Sequence, residues 1–283
     1  MKIGIGLPNG SAGVRGSTML EWIRRAEHRG FDVVSTIDRL VYPSFDSIIG
    51  LALTAGASSS LALQTNILLA PLYSPAVLAK QLASLADAAG NRLTVGIAPG
   101  GREDDFIAAG VDFHARGRLL DDEMTLMRHA WQGEPVIDGT AICAAPVQIP
   151  VLFGGFTNAA VRRVAQLGDG WVSGALRDYE AEAAFADRVR TAWLEADRPG
   201  DPQFHTCVNF AIGDDADAGR QHIGRYYGFV PDYAELNIAD MLTSAEDARQ
   251  TVKAYRDLGF DRLLFHPTVT SIEQVDRLAD AVL

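Results

Sequence analysis

Lysine is almost absent from this chain. Of its 25 basic residues only Lys2, Lys80 and Lys253 are lysines, at a strand start and on two helical stretches. None is placed as a Schiff-base nucleophile at the heart of a fold. Cysteine is scarcer still. Cys143 and Cys207 lie far apart and form no CxxC pair, which leaves neither a disulfide framework nor a metal knuckle and fits a reducing cytoplasm. Positive charge is missing as a surplus: the net charge of −11 disfavours nucleic acid and anionic membrane as partners, since both bind basic surfaces. No apolar run reaches membrane-spanning length, and MKIGIGLPNG breaks at Pro8 too early for a signal peptide, so a cytoplasmic protein is expected. HxH on the first strand and HExxH are both lacking, so the usual zinc-hydrolase spacings are missing and no metal site is expected. No GxSxG elbow occurs. GIGLPN fails GxGxxG at its last position, and Pro8 would interrupt the helix required there.

What is present is a rhythm of apolar strands and amphipathic helices in an ordinary globular composition, 48% hydrophobic and 22% charged. Strands are expected at Ile3–Leu7, Val33–Thr36, Ala62–Leu69, Leu93–Ala98, Val151–Phe153, Trp171–Ser173, His205–Ile212 and Arg262–His266. A capping box at Thr18 to Glu21 opens the first helix, which Gly30 ends. Further helices are expected at Phe45–Ala55, Pro75–Ala89, Gly117–Trp131, Tyr179–Ala196, Asp215–Tyr226, Ala245–Leu258 and Ile272–Val282, with another between the fifth and sixth strands. A polar glycine loop follows strand four, residues 133–149 read as an excursion or hairpin, and 227–240 as an aromatic-rich link. Early strands start about 30 residues apart, the βα period, and their apolar character implies a buried parallel sheet. Eight such units in one chain predict a single α/β domain, 1–283, folded as a (β/α)₈ TIM barrel with excursions after strands four and seven. An open doubly wound sheet is the alternative.

A barrel gathers strand C-termini on one face, where barrel enzymes keep their sites. The candidates there are Asn9; Asp38 and Arg39; Asn66 to Tyr73; Ala98 to Asp105; Gly154 to Asn158; Ser173 and Gly174; and His266, which reads more readily as a core histidine. Pro150 to Trp171, PVLFGGFTNAAVRRVAQLGDGW, is strand, tight turn, helix, turn, strand. Gly154 and Gly155 allow close approach to backbone, Thr157 or Asn158 can cap the helix, and its free N–H groups suit a phosphate. A phosphate-bearing cofactor of flavin type fits a barrel with little acid–base machinery of its own. A non-catalytic barrel that binds or stores a flavin is the alternative.

Four stretches carry a family resemblance: GFDVVSTIDRL (30–40), TNILLAPLYSPAVLAKQLASLADAAGNRLTVGIAPGG (65–101), EDDFIAAGVDFHARGRLLDDEM (103–124) and PVLFGGFTNAAVRRVAQLGDGW (150–171). In order and together they resemble the bacterial luciferase-like oxidoreductases, barrel enzymes that use reduced FMN or the deazaflavin coenzyme F420. The resemblance implies that the Gly154-Gly155 turn and the helix after it hold the cofactor phosphate, within a cofactor-binding set that takes in Phe153, Gly154, Gly155, Phe156, Thr157, Asn158, Ser173 and Gly174. It further implies a bulge with a non-proline cis bond at Asn66–Ile67 behind the ring, Asp38 near the ring, and Gly96, Ala98, Gly100 and Gly101 along its other side. Deazaflavin sugar dehydrogenases of the family carry a His where Arg39 stands and a Glu where Gly101 stands. Alcohol oxidation needs a base for the hydroxyl proton, so oxygenation, or reduction of an activated C=C bond, is the better expectation. Arg39 would then meet developing negative charge, or else pair with Asp38. Compact length and GC-rich coding (22 Arg against 3 Lys) lean towards F420 over FMN. Tyr226, Tyr227, Phe229 and Tyr233 would roof an apolar substrate pocket, or serve as rim packing or a contact in a homodimer.

Overall fold

The strands close on one another in chain order. In the computed structural model, which describes all 283 residues, they form one closed parallel barrel from β1 round to β8, which pairs back to β1. The strands are β1 (Lys2–Gly6), β2 (Val33–Thr36), β3 (Ala62–Leu68), β4 (Leu93–Ile97), β5 (Val151–Gly154), β6 (Gly170–Val172), β7 (Gln203–Phe210) and β8 (Arg262–Pro267). Around them run α1 (Gly16–Arg29), α2 (Ser47–Ala57), α3 (Pro75–Ala88), α4 (Glu103–Ala109), α5 (Arg116–Trp131), α6 (Asn158–Leu167), α7 (Tyr179–Glu195), α8 (Ala216–Tyr227), α9 (Pro231–Asp240), α10 (Ala245–Asp257) and α11 (Glu273–Val282). The (β/α)₈ barrel expected from the sequence is the fold of this chain.

Strand alternation divides the barrel into two chemistries. Outward side chains such as Ile5, Leu63, Val95, Phe153 and Val208 join the helices in a 55-residue apolar core. The interior is more polar than the apolar look of the strands suggests. Low in the barrel, Arg262 Nη1 donates to Gln64 Oε1 at 2.7 Å, and His205 Nδ1 lies 3.1 Å from the same oxygen. Val33, Leu264 and Cys207 form a small cluster. Ser35, Asn66 and His266 meet towards the open C-terminal end. An eight-stranded barrel leaves just enough room for side chains to fill it, so most of these polar groups pair with one another, while Gln64 Nε2 and Asn66 Oδ1 are left without a partner.

Local signals place most helix ends. Asp46, Thr157, Asp178 and Ser244 cap their helices through side-chain oxygens, and Gly30 closes α1 at φ 86°. Three expectations need correction. The Thr18–Glu21 box is not used: α1 starts at Gly16 behind an extended Arg15, one turn earlier, with Met19, Trp22, Ile23 and Ala26 buried beneath it. Residues 103–109 form α4 rather than loop, and most of the 227–240 link is α9, begun by Pro231 at its first turn. Within 133–149 the only pairing is one antiparallel bridge, Ile137 with Thr140.

Candidate active site

The C-terminal strand ends surround a cavity of about 400 Å³. Its floor is set by an irregularity in β3. Register against β4 shifts between Thr65 and Leu68, and the Asn66–Ile67 peptide is cis, as the resemblance implied. Two glycines exist for this bulge. A Cβ at Gly96 would stand 2.4 Å from the Thr65 carbonyl oxygen, and one at Gly154 would stand 2.7 Å from Ile67 Cδ1. Gly96 therefore makes room for its neighbouring strand and does not line the cavity, contrary to expectation. Gly154 does line it, with Ile67 occupying the space its side chain would need.

From β2, Ile37 and Asp38 face the cavity. Burial pushes the Asp38 carboxyl up to about 6, against the lowering effect of hydrogen bonds donated by Leu69 N (3.0 Å) and Tyr73 Oη (3.1 Å). Arg39 does not line this cavity but an adjoining hollow beside Asp38 and Tyr73, and it does not pair with Asp38, so the ion pair foreseen for it is not formed. Neighbours on extended chain point to opposite sides. Its guanidinium lies 4.3 Å from the Tyr42 ring centre and 5.1 Å from that of Tyr226, and Nη1 donates to Tyr226 O at 2.7 Å. Asn9, another strand-end candidate, ties loops together: Nδ2 donates to Ile37 O and Phe45 O while Oδ1 accepts from Ile37 N.

The loop after β4 supplies Ala98, Gly100 and Gly101, and also Arg102, which the sequence did not single out by itself. Arg102 pairs with buried Asp105 at 3.5 Å, covers the Phe229 ring at 4.4 Å and donates to Tyr226 O at 3.3 Å. Arg39 and Arg102 thus converge on one carbonyl at the end of α8, where helix carbonyls lack partners and the dipole is negative. They fasten a roof of Tyr226, Tyr227, Phe229 and Tyr233, all four of which line the cavity.

On the opposite side, Gly155 and Thr157 reach the cavity from the β5–α6 turn, and Ser173 and Gly174 from the end of β6. Thr157 Oγ1 accepts from Ala160 N at 3.2 Å, while the amides of Asn158 and Ala159 find no acceptor. Three residues expected here lie elsewhere. Phe153 points outward into the core, Phe156 is 47% exposed and packs edge-on against Trp171 and Phe185, and the Asn158 side chain bonds Arg188. Strand alternation turns Phe153 away, and the turn swings Phe156 over the helix layer.

Besides the apolar Ile37 and Ala175, three lining residues were missed or read as scaffold: Arg163, held by Asp121 (2.5 Å) and the Gly117 carbonyl (2.9 Å), Cys207, and His266. For the two strand residues the available signal was parity, since Arg262 and His266 on β8, and His205 and Cys207 on β7, recur at alternate positions; Arg163, on α6, had no such signal. The cavity suits a ring carrying an anionic tail. Asn66 Oδ1 is buried on the floor without a partner, and α6 offers free amides at one end. A Cβ added at Gly101 would meet nothing within 4 Å, and one at Gly174 only Tyr233 Oη at 3.9 Å, which leaves room for such a ligand. No helix is long and apolar enough to cross a membrane.

Comparison with known proteins agrees with this geometry. The family model described as luciferase-like monooxygenase matches residues 1–263. An uncharacterised protein of Mycobacterium tuberculosis strain H37Rv is 30% identical over 172 residues, 58% of this chain and 59% of the relative. A second from the same strain is 28% identical over 191 residues, 64% and 67% of the two chains. The match to the first of these spans about three fifths of the relative's length. Among solved structures, an F420-dependent secondary alcohol dehydrogenase in complex with an F420–acetone adduct superposes with TM-score 0.83 at 18% identity, covering 100% of this chain and 98% of that one. The monooxygenase RslO1 from Streptomyces bottropensis gives 0.79 at 19%, covering 99% and 97%. The F420-dependent tetrahydromethanopterin reductase from Methanopyrus kandleri gives 0.74 at 14%, covering 99% and 98%. At these identities the superpositions speak for the fold.

Proposed function

Because this chain belongs to the luciferase-like monooxygenase family, we propose that it is an oxidoreductase that binds a reduced flavin-type cofactor and acts on a small, largely apolar organic molecule. The reading is carried by the floor of the cavity, where the buried Asn66 Oδ1 lacks a partner at the β3 bulge while free amides of α6 stand at the far end. The bulge, with Ala98 and Gly100, would support the ring. Thr157, Ser173, Gly174 and the α6 amides would hold the phosphate, with the helix dipole favouring its charge. Such a cofactor supplies the redox chemistry itself, so the protein has to bind, orient and exclude water. Asp38 can hold or release a proton at the cavity wall near neutral pH. The tyrosine roof covers one side of the site and would limit water there.

Coenzyme F420 is the cofactor proposed, with FMN as the second reading; F420-dependent enzymes among the solved structures of the same fold favour the first. Substrate reduction and oxygenation are both compatible with the residues present. Separate fluorescence titrations with oxidised F420 and oxidised FMN test the cofactor. Tighter binding of F420 supports the reading, binding of FMN alone moves it to the second, and binding of neither sinks it. Dependence of turnover on dioxygen then divides oxygenation from reduction.

A further inference from the structure

With the β3 bulge and α6 assigned to a cofactor, one wall of the cavity is left over. It is built from Cys207 on β7, His266 on β8 and the roof residues Tyr227 and Tyr233. No charged side chain belongs to this wall. The charged groups elsewhere on the lining are already engaged: Asp38 by Leu69 and Tyr73, Arg102 by Asp105, Arg163 by Asp121. Burial keeps the Cys207 thiol protonated, pushing it up to about 12.

The histidine ring is held in place on two sides. Its Cδ2 edge abuts β1, where a Cβ at Gly6 would stand only 2.9 Å away. Ser35 Oγ lies 3.1 Å from His266 Nε2, and Asn66 Nδ2 lies 3.5 Å from the same atom. That hydroxyl makes no other hydrogen bond, and the amide nitrogen can only donate. An accepting Nε2 serves both donors at once, and that arrangement puts the ring proton on Nδ1. Burial lowers the imidazole to about 4, so the ring is neutral at physiological pH. Nδ1 has no protein acceptor, and the residue lines the cavity.

We propose that His266 Nδ1–H donates a hydrogen bond to a carbonyl oxygen of the substrate, and that the substrate is an uncharged carbonyl compound seated against the β7–β8 wall beneath Tyr227 and Tyr233. The proposal rests on the functional reading above for its division of the cavity. It gives that site a substrate class: a neutral acceptor is matched by a neutral fixed donor, and a carboxylate or phosphate finds no free counter-charge on this wall.

The test uses the protein without cofactor. Long-range ¹H–¹⁵N spectra of ¹⁵N-histidine-labelled protein at pH 7 should show His266 as the neutral Nδ1–H tautomer, assigned with His266→Asn. Ligand-observed NMR with acetophenone and ethylbenzene, a carbonyl and a hydrocarbon of similar size, reads the donor directly. Wild type should bind acetophenone more tightly. His266→Phe should weaken acetophenone at least tenfold and leave ethylbenzene within about twofold. His266→Asn, whose amide N–H falls near the Nδ1 position, should restore part of the loss. An Nε2–H tautomer, absence of preference in wild type, or equal losses for both probes would overturn the proposal. Failure to bind F420 or FMN would remove the cofactor reading alone, because tautomer and ketone preference are measured without either.

Discussion

Asp38 and Tyr73 are joined by a hydrogen bond in which the phenol oxygen lies 3.1 Å from both carboxylate oxygens. The pair sits where β2 and β3 deliver their C-terminal ends to the cavity, and Arg39, next in the chain, takes no part in it. The phenol donates to the charged form of Asp38 and opposes the upward push of burial. Removing it in Tyr73→Phe should raise the Asp38 pKa above its present value near 6 by about one pH unit. ¹³C-detected NMR titration of the carboxyl checks this. If Asp38 carries the proton in turnover, the acidic limb of the pH–rate profile should shift by the same amount.

Arg39 is a fastening of the roof. Arg39→Met should remove its bond to Tyr226 O and its stacking between two tyrosines, together about 1–3 kcal/mol. A drop in Tm of roughly 2–10 °C follows for a chain of this size, with faster hydrogen exchange in α8 and α9. A Tm equal to wild type with turnover down a hundredfold would instead restore the catalytic role expected from sequence.

Gly155 and Gly174 should behave differently when substituted. Gly155 has φ 104°, so Gly155→Asp places a side chain in a strained conformation costing about 1–3 kcal/mol and should lower apo stability whatever the ligand does. Gly174 has no such torsion and has open space in front of it. Gly174→Val should therefore lose at least about tenfold in cofactor affinity, about 1.4 kcal/mol, while the apo melting curve stays in place. Fluorescence titration beside apo melting decides it.

Gly96→Ala and Gly101→Ala form a control pair for the bulge. A methyl at Gly96 would collide with the Thr65 backbone carbonyl, and one at Gly101 would meet nothing within 4 Å. Urea unfolding should show Gly96→Ala destabilised by about 1–3 kcal/mol or more, the scale for overpacking, with Gly101→Ala near wild type.

Glu182 gives stability a pH dependence. It is buried between α7, β7 and α10, accepts from Tyr255 Oη (2.7 Å) and Thr206 Oγ1 (3.2 Å), and is pushed up to about 7 by burial from an ordinary 4.5. Between those values the folded state keeps a proton that the unfolded state has lost, so stability falls as pH rises through the window. Glu123, also raised to about 7 by burial, acts in the same direction. Tm should decline from pH 5 to pH 8, and Glu182→Gln should flatten that decline. An unchanged slope would mean that Glu182 is ionised in the folded protein.

The elements and the family resemblance were legible in the chain because they depend on residues close to one another in sequence. Thr157 caps the helix that begins beside it, Gly30 ends α1 with its own positive φ, and the strands announce themselves as apolar runs at a βα period. The Asn66–Ile67 bend came with its motif. What escaped was whatever depends on a neighbouring strand or a distant loop. The reason for Gly96 is the Thr65 carbonyl on β3, and that for Gly154 is Ile67. Arg39 was assigned to the cavity because it follows the end of β2, where relatives carry a His, yet its partner Tyr226 lies 187 residues away. His266 read as core until β2 and β3 brought Ser35 and Asn66 to the same ring nitrogen. Sequence by itself decided the eight strands and most of the helices, though not α4 or α9, since propensity, capping and turn chemistry act over a few residues. Closure of the barrel decided which side chains share the cavity, because only the tilt and register of eight strands bring residues 35, 66 and 266 within hydrogen-bonding reach.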